Sequence, residues 1–447
     1  MSVLKPWKSY WLAAAIVVLG IMLGGVGLWM RRDIPMPAHI DNSPFRAAWL
    51  IRTPDTDRVT AHLIIQSGEA DQTGPPGLMH YAEHLAWQNA IGSESRPEDR
   101  DTNAWAESLA TGYWLSGDKS DLVELISTLA RVLEPIELPR DFMEEERDIL
   151  LREYDLRFGD NTDARVARAL RRVVYEPNPL ARPVLGTRPG IAAFEPEDAV
   201  ALHTQTHKRE NTVLIVIGDV SVRELRAALP DLPAIAAAPP LPPPFSLGPP
   251  GETVLRFRDP DADTHMVWRR IVALDEPQQI DLLGARLALL RDILDTSLPG
   301  GLAGPLRYDA FVTRAFDIEL WPLDERHIEM RFTAWPDEGV SLAEMRRAFE
   351  AAFEATARAG IPAETFARVR ERFETFWPDW TDDKEAADWM AGYVIDTVSA
   401  RREPLDVNEI KALKTKLERA PINALLGSYL RGGRTVVAFV GKQGETE

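Results

Sequence analysis

The sequence predicts an α+β protein of two related halves. Each half is expected to be an α/β sandwich of helices packed on an antiparallel-rich sheet. A Pro-rich linker joins the halves, and one transmembrane helix precedes them. Three observations carry this reading. Asn211-Thr-Val-Leu-Ile-Val-Ile-Gly218 resembles Arg434-Thr-Val-Val-Ala-Phe-Val-Gly441 at an offset of 434 − 211 = 223 residues, as an internal duplication would leave it. Nine prolines fall within the 21 residues from Pro230 to Pro250, and such a stretch can neither continue a helix nor donate to a sheet, so it reads as a stiff linker. Trp11 to Met30 is an uncharged run of 20 residues, which as a helix spans roughly 30 Å, the hydrocarbon thickness of a bilayer.

These features divide the chain into a membrane anchor at 1–32, a first half at 43–229, the linker at 230–251 and a second half at 252–447. The apolar run is longer than the core of a cleaved signal and has no A-x-A-like site directly after it, so it reads as an uncleaved anchor. Lys5 and Lys8 precede it and Arg31 and Arg32 follow it, so flanking charge barely orients it. An N-terminal anchor usually translocates the long domain behind it, which places the soluble part in a bacterial periplasm. Gly20-x-x-x-Gly24 is a weak helix-pairing motif.

Along the first half, Val59 to Ile65 reads as a strand, Gly68 to Gly77 as a loop and Leu78 to Ala90 as a helix. Leu122 to Leu133 and Phe142 to Phe158 have helical spacing, the latter with Glu144, Glu145 and Glu146 near its electropositive start. Thr212 to Ile217 is a continuous β-branched run closed by Gly218, the pattern of a strand buried on both faces.

Composition narrows the chemistry. The formal net charge is −18, from 69 acidic against 51 basic residues, which disfavours nucleic acid as a partner. There is no cysteine, so disulfides, thiol nucleophiles and Cys-based zinc sites are excluded, and any metal must be held by His, Asp and Glu. The 13 tryptophans read as core or rim.

The informative stretch is His80-Tyr-Ala-Glu83-His84. On a helix, positions i and i+4 share a face, so His80 and His84 present two imidazoles to one point, as zinc requires. Glu83 lies one turn from His80, within reach of a water at the metal, and can take its proton. This order inverts the commoner zincin pattern. A chance match is expected in roughly one chain per hundred of this composition, so context matters. The context is an acidic helix in which Glu146 and Glu153 stand seven apart, two turns along one face. One of the two can bind metal while the other supports the site. His203 and His207 share the i, i+4 spacing but lack an interposed acid, and read as an exposed helix face.

Gly77 to Trp87 together with Glu146 to Glu153 resemble the pitrilysin/insulinase family of inverted-motif zinc metallopeptidases, which includes the mitochondrial processing peptidases. The resemblance implies Zn²⁺ held by His80, His84 and Glu153, with Glu83 as catalytic base and Glu146 as its supporting acid. The separation of 153 − 84 = 69 residues is shorter than the family's usual one, which a trimmed loop explains. Asn103-Ala104-Trp105 and Thr111 to Trp114 resemble the family's substrate-binding edge strand and its neighbour, so Asn103 and Ala104 are implied substrate contacts. Pro179 to Gly186 and Arg209 to Asp219 resemble its loop and its domain-closing strand. The likeness covers about residues 45–220 well and about 252–442 more weakly.

The second half departs from the family at one point. An Arg followed seven residues later by a Tyr commonly reaches substrate across the chamber. Arg307 fits the first position, but Arg314 stands at the second. The implied function is a membrane-anchored zinc endopeptidase that cuts peptides or unfolded chains inside a chamber between the halves. The alternative is a non-catalytic or partner-dependent peptidase-like subunit of a membrane assembly. The implied partners are a peptide substrate, the membrane, and a second copy or a related chain in a dimer.

Overall fold

The computed structural model describes residues 36–92, 101–235, 245–442 and 444. The apolar run 11–30, read above as a membrane anchor, and residues 236–244 of the linker lie outside the described residues. Among the described residues no helix is long and apolar enough to cross a membrane.

Two sheets organise the molecule. The first contains β1 (Ala38–His39), β2 (Ala47–Arg52), β3 (Arg58–Ile65), β4 (Thr102–Ala106), β5 (Thr111–Asp118) and β6 (Thr212–Gly218), in the order β1-β2-β6-β3-β5-β4. The second contains β7 (Gly251–Arg258), β8 (His265–Ala273), β9 (Thr313–Pro322), β10 (His327–Pro336) and β11 (Arg434–Gly441), in the order β7-β11-β8-β10-β9.

Leaving β1 aside, the two orders are the same. In each sheet the last strand inserts between the first two, parallel to the first and antiparallel to the second. The inserted strands β6 and β11 are the two segments whose sequences match at an offset of 223. Both end on a glycine in the same conformation, Gly218 at φ 157° and Gly441 at φ 156°. They read as unbroken apolar runs because both faces of each are covered.

The way those faces are covered interlocks the halves. The helices used below are α1 (Leu78–Ile91), α2 (Leu122–Ala130), α3 (Arg140–Phe158), α4 (Thr162–Tyr175), α5 (Pro196–Thr206), α6 (Ile280–Leu294), α7 (Leu342–Ala359) and α8 (Asp383–Ser399). One face of the first sheet packs on α1 and α2 through residues such as Leu63, Leu115, Ala86 and Ile126. The other face, with Ile51, Ile64 and Ile215, is covered by Met390, Val394 and Val398 of α8, a helix of the second half. Reciprocally, Val166, Leu170 and Val174 of α4, from the first half, cover Val267, Ile271 and Val436 of the second sheet. The remaining face of that sheet packs on α6 and α7, where Phe332 and Phe349 stack at 3.8 Å. Each such large side chain contributes on the order of 1.5–3 kcal/mol when fully buried, so the exchanged helices tie the halves together.

Polar contacts follow the same seam. Arg269 donates from Nε to Glu329 at 2.6 Å, Tyr175 of α4 donates its hydroxyl to the same carboxylate, and Arg401 donates to Asp71 at 2.9 Å. The linker segments 230–235 and 245–250 contain neither helix nor strand, as their prolines dictate.

Some expectations need adjustment. The helix expected over Leu122 to Leu133 is α-helical only to Ala130 and ends in a 3₁₀ turn, Arg131–Leu133. The segment Gly68 to Gly77 is not a plain loop, because Glu69–Asp71 form a 3₁₀ turn. The largest correction concerns His203 and His207. They are buried rather than exposed, with rings stacked at 4.4 Å. His203 bonds the Val132 carbonyl at 2.8 Å, and His207 Nε2 meets the Tyr113 hydroxyl at 2.8 Å. Their helix face packs against α1 and β5, partners that lie far away in sequence.

Candidate metal centre

Helix α1 begins where two chain segments nearly touch. Gly77 precedes it at φ 95°, and a Cβ placed there would sit 2.6 Å from the Gly186 Cα. Gly186 has φ 68°, and its own Cβ would sit 2.4 Å from the Pro76 carbonyl. Only glycine tolerates both the left-handed backbone and this approach. Beneath the junction lies Glu69, fully buried, accepting from the Gly77 amide at 3.2 Å and from Arg182 Nε at 3.0 Å. Burial pushes the Glu69 carboxyl up to about 7, against the opposing pull of Arg182. No sequence pattern marks this pair, whose members are 113 residues apart.

From that anchor α1 buries Met79, Tyr81, Ala82 and Leu85, and turns His80, Glu83 and His84 to a common face. Helix α3 crosses it, held by the Tyr81 hydroxyl donating to the Met143 carbonyl at 2.5 Å. This brings both carboxylates of the Glu-x6-Glu pair to the histidines. His84 Nδ1 donates to Glu146 at 3.0 Å, which turns its Nε2 toward the other helix carboxylate. Glu153 faces both rings, with its oxygens 3.5 Å from His80 Nε2 and 3.7 Å from His84 Nε2. Glu83 approaches His80 Nε2 at 3.9 Å.

The three donors fit a divalent ion. One atom each from His80, His84 and Glu153 lie within 4.8 Å of one another. Ligands about 2.1 Å from a tetrahedral ion lie about 3.4 Å apart, close to the two His–Glu separations seen here. Burial, helped by the neighbouring His84, lowers His80 to about 3, so its ring is neutral and can donate a lone pair. Burial also pulls His84 down, but the bond to Glu146 and the charges of Glu83, Glu153 and Glu146 outweigh it and hold the ring near 9, so an ion binding there must displace the Nε2 proton. Burial raises Glu83 to about 7, with His84 opposing and Glu153 and Glu146 reinforcing. A cation at the centre of three carboxylates relieves their mutual repulsion.

No family model matches the chain. The β subunit of the mitochondrial processing peptidase of Saccharomyces cerevisiae is 26% identical to it over 180 residues, 38% of this chain and 39% of that protein. The match thus spans about two fifths of that relative's length. The first half of the periplasmic protease PqqL from Escherichia coli has the same fold, with a TM-score of 0.75 at 14% identity and 92% of both chains covered. A peptidase M16 inactive domain from Pseudomonas fluorescens aligns with a TM-score of 0.70 at 13% identity, over 92% of this chain and 99% of that one. The chain is thus similar in sequence to a peptidase subunit over part of its length and shares its fold with solved peptidase structures.

The histidine–carboxylate cluster opens into a cavity of about 1210 Å³. Its walls come from both halves, with α1, α3, α4 and β4 from the first and strands β8, β9 and β10 from the second. Asn103 and Ala104 line it from β4, the last strand of the first sheet. Among the described residues no strand pairs with the outer edge of β4. The Ala104 amide donates to the Asn103 side chain at 2.9 Å instead of to a strand.

Arg307 is placed differently from the other implied contacts. It is exposed on the turn Gly304–Asp309, over the Tyr308 ring at 5.7 Å, and is not among the residues lining the cavity. Arg314, seven residues on, pairs with Asp263 at 2.6 Å. The second half instead offers Arg269 and Arg331, which face each other across β8 and β10. Both were missed from the sequence. Their only signal is an Arg in each of two apolar-flanked strands, and the register that aligns them is not local.

Proposed function

We propose that the chain is a zinc-dependent metalloendopeptidase, anchored to a membrane by its N-terminal apolar run and working on peptides or unfolded chains in the cavity between its halves. The observation that carries this is the convergence of His80, His84 and Glu153 beside the buried Glu83. His80 and His84 would hold the ion through Nε2 and Glu153 through its carboxylate, while Glu146 fixes the His84 ring. Bound there, zinc would supply a Lewis acid acting on water and on the scissile carbonyl. Glu83 accepts the proton of the attacking water and returns it to the leaving amine, a role suited to a carboxyl poised near neutrality. The open edge of β4 takes the peptide as an added strand, and the Asn103 side chain exchanges its bond to Ala104 for one to the substrate backbone. Backbone pairing reads little sequence, and the cavity walls favour unfolded over folded substrates.

The anchor reading rests on the uncharged run at 11–30, and with it a periplasmic position for the remainder. The linker at 230–251 is the boundary we assign between the halves.

A second reading has one observation in its favour. Arg307 stands outside the cavity lining and Arg314 replaces an aromatic, so a homodimer or a related partner chain would complete the substrate contacts.

The test is metal analysis of the purified chain with a peptide-cleavage assay, run with and without chelator and with Glu83→Gln. Turnover should require the metal and fall by about 10²–10⁴-fold in the variant. Cleavage that survives both treatments would refute the peptidase assignment. Cleavage that appears only after a related chain is added would favour the second reading.

A further inference from the structure

The cavity contains more positive charge than the metal cluster needs. Helix α4 turns Ala164, Ala167, Arg168, Arg171 and Tyr175 toward it, one face at helical spacing. The opposite face of α4 is fixed by Val166, Leu170 and Val174 on the second sheet. Two guanidinium groups therefore overlook the cavity from a helix that cannot turn away.

Neither is matched by a carboxylate. Arg168 donates to the Tyr154 hydroxyl at 2.7 Å and lies 5.5 Å and 5.3 Å from the Tyr154 and Phe158 ring centres. Arg171 donates to the Leu180 carbonyl at 2.9 Å and to Ser108 Oγ at 2.5 Å. All these partners are neutral. Among the described residues Arg168 and Arg171 are in no ion pair, whereas the second half's Arg269 and Arg331 are paired with Glu329 and Glu319. Glu107 lines the same cavity without contacting Arg171. Burial, then Asp396, raises its carboxyl toward the neutral form, against the pull of Arg171. Burial in turn lowers the pKa of Arg171, with Arg269 reinforcing and Tyr175, Glu329 and Glu107 opposing at longer range.

The position of the pair is specific. Arg168 is tied to Tyr154, the residue after Glu153, and Arg171 to Ser108, two residues beyond the end of β4. Together they span from the helix that presents the metal-facing carboxylate to the end of the open edge strand. A guanidinium held by neutral partners still offers donors for a charge-assisted, fork-shaped bond to a carboxylate.

We propose that Arg168 and Arg171 form a carboxylate-binding wall and set the specificity of the cavity for peptides carrying an acidic side chain or a free C-terminus close to the β4 edge. This deepens the peptidase reading and rests on it. The chain's net charge of −18 repels such ligands at a distance, so the preference arises at contact and persists at about 0.15 M salt, where the screening length is about 8 Å.

The experiment separates binding from cleavage. Labelled peptides are titrated into the full-length Glu83→Gln protein, comparing an internal Glu with Gln, and a free with an amidated C-terminus on a neutral sequence. At least one carboxylate should bind about tenfold more tightly than its neutral counterpart, and the arm that does so identifies the source. In Arg168→Gln and Arg171→Gln the ratio should fall toward one. In Arg168→Glu the protein should come to favour a Lys peptide, a gain that misfolding cannot mimic. Equal binding of charged and neutral peptides overturns the proposal, as does a preference that both Gln variants retain. Carboxylate preference without cleavage by the wild-type chain sinks the peptidase reading alone. Cleavage without the preference sinks this inference alone.

Discussion

His84 Nδ1 donates to Glu146 at 3.0 Å, and this bond decides which ring nitrogen faces Glu153. The carboxylate holds a proton on Nδ1 and leaves Nε2 to face a second carboxylate, seven residues further along the same face of α3. Glu146→Gln can still accept the bond but carries no charge, and Glu146→Ala leaves the ring unfixed. Metal affinity, read by competition with a chromogenic chelator, should fall by about 10–100-fold in Glu146→Ala and less in Glu146→Gln. Unchanged affinity in both would remove Glu146 from the site.

How much of this was legible in the sequence depends on how local each feature is. His80, Glu83 and His84 sit within one helical turn and a half, so their shared face follows from helix geometry alone. Glu153 was singled out by resemblance, because a carboxylate 69 residues beyond His84 follows no spacing rule of its own. His203 and His207 were misjudged for the same reason. The i, i+4 pattern says that two rings share a face but not what covers it, and Tyr113, 94 residues away, is what covers His207. The duplication was visible because β6 and β11 are buried on both faces and must stay apolar, whereas the exchange of α4 and α8 between halves left no trace beyond ordinary amphipathic spacing. Arg269 and Arg331 became partners in the cavity through strand register, which sequence does not state.

That exchange predicts one cooperative unit. Leu170 of α4 and Met390 of α8 are each buried against the other half's sheet. Leu170→Ala and Met390→Ala should each cost about 2–5 kcal/mol. Both should lower a single unfolding transition, followed by circular dichroism and by intrinsic fluorescence. Two separable transitions, with each variant affecting only one, would show that the halves fold independently.

Glu69 makes a prediction about pH. Its folded-state carboxyl is raised to about 7 from an ordinary value of 4.5, chiefly by burial. Between those values the folded chain keeps a proton that the unfolded chain has lost, so this group makes the protein less stable as pH rises from about 4.5 to about 7. The loss is complete above the upper value. Glu69→Gln removes the titration but also the charge facing Arg182. The difference in Tm between variant and wild type should therefore move in the variant's favour across that window. A difference that stays flat with pH would mean that Arg182 keeps the carboxylate ionised throughout.

Gly77 links stability to the metal centre. It has φ 95°, where an L side chain is strained, and a Cβ there would press to 2.6 Å from the Gly186 Cα, a backbone atom with no room to yield. Gly77→Ala must therefore push apart the start of α1 and the loop that carries Arg182. The backbone strain alone costs about 1–2 kcal/mol, and the clash adds to it. Because His80 lies three residues on, its Nε2 should move away from Glu153, and metal affinity should fall together with Tm. Gly92, at the other end of α1, also has a positive φ of 85°, but among the described residues nothing lies within 4 Å of its Cβ position. Gly92→Ala should therefore lower Tm through strain while leaving metal affinity near that of the wild type. Equal losses of metal in the two variants would show that the centre responds to helix stability in general rather than to the Gly77–Gly186 contact.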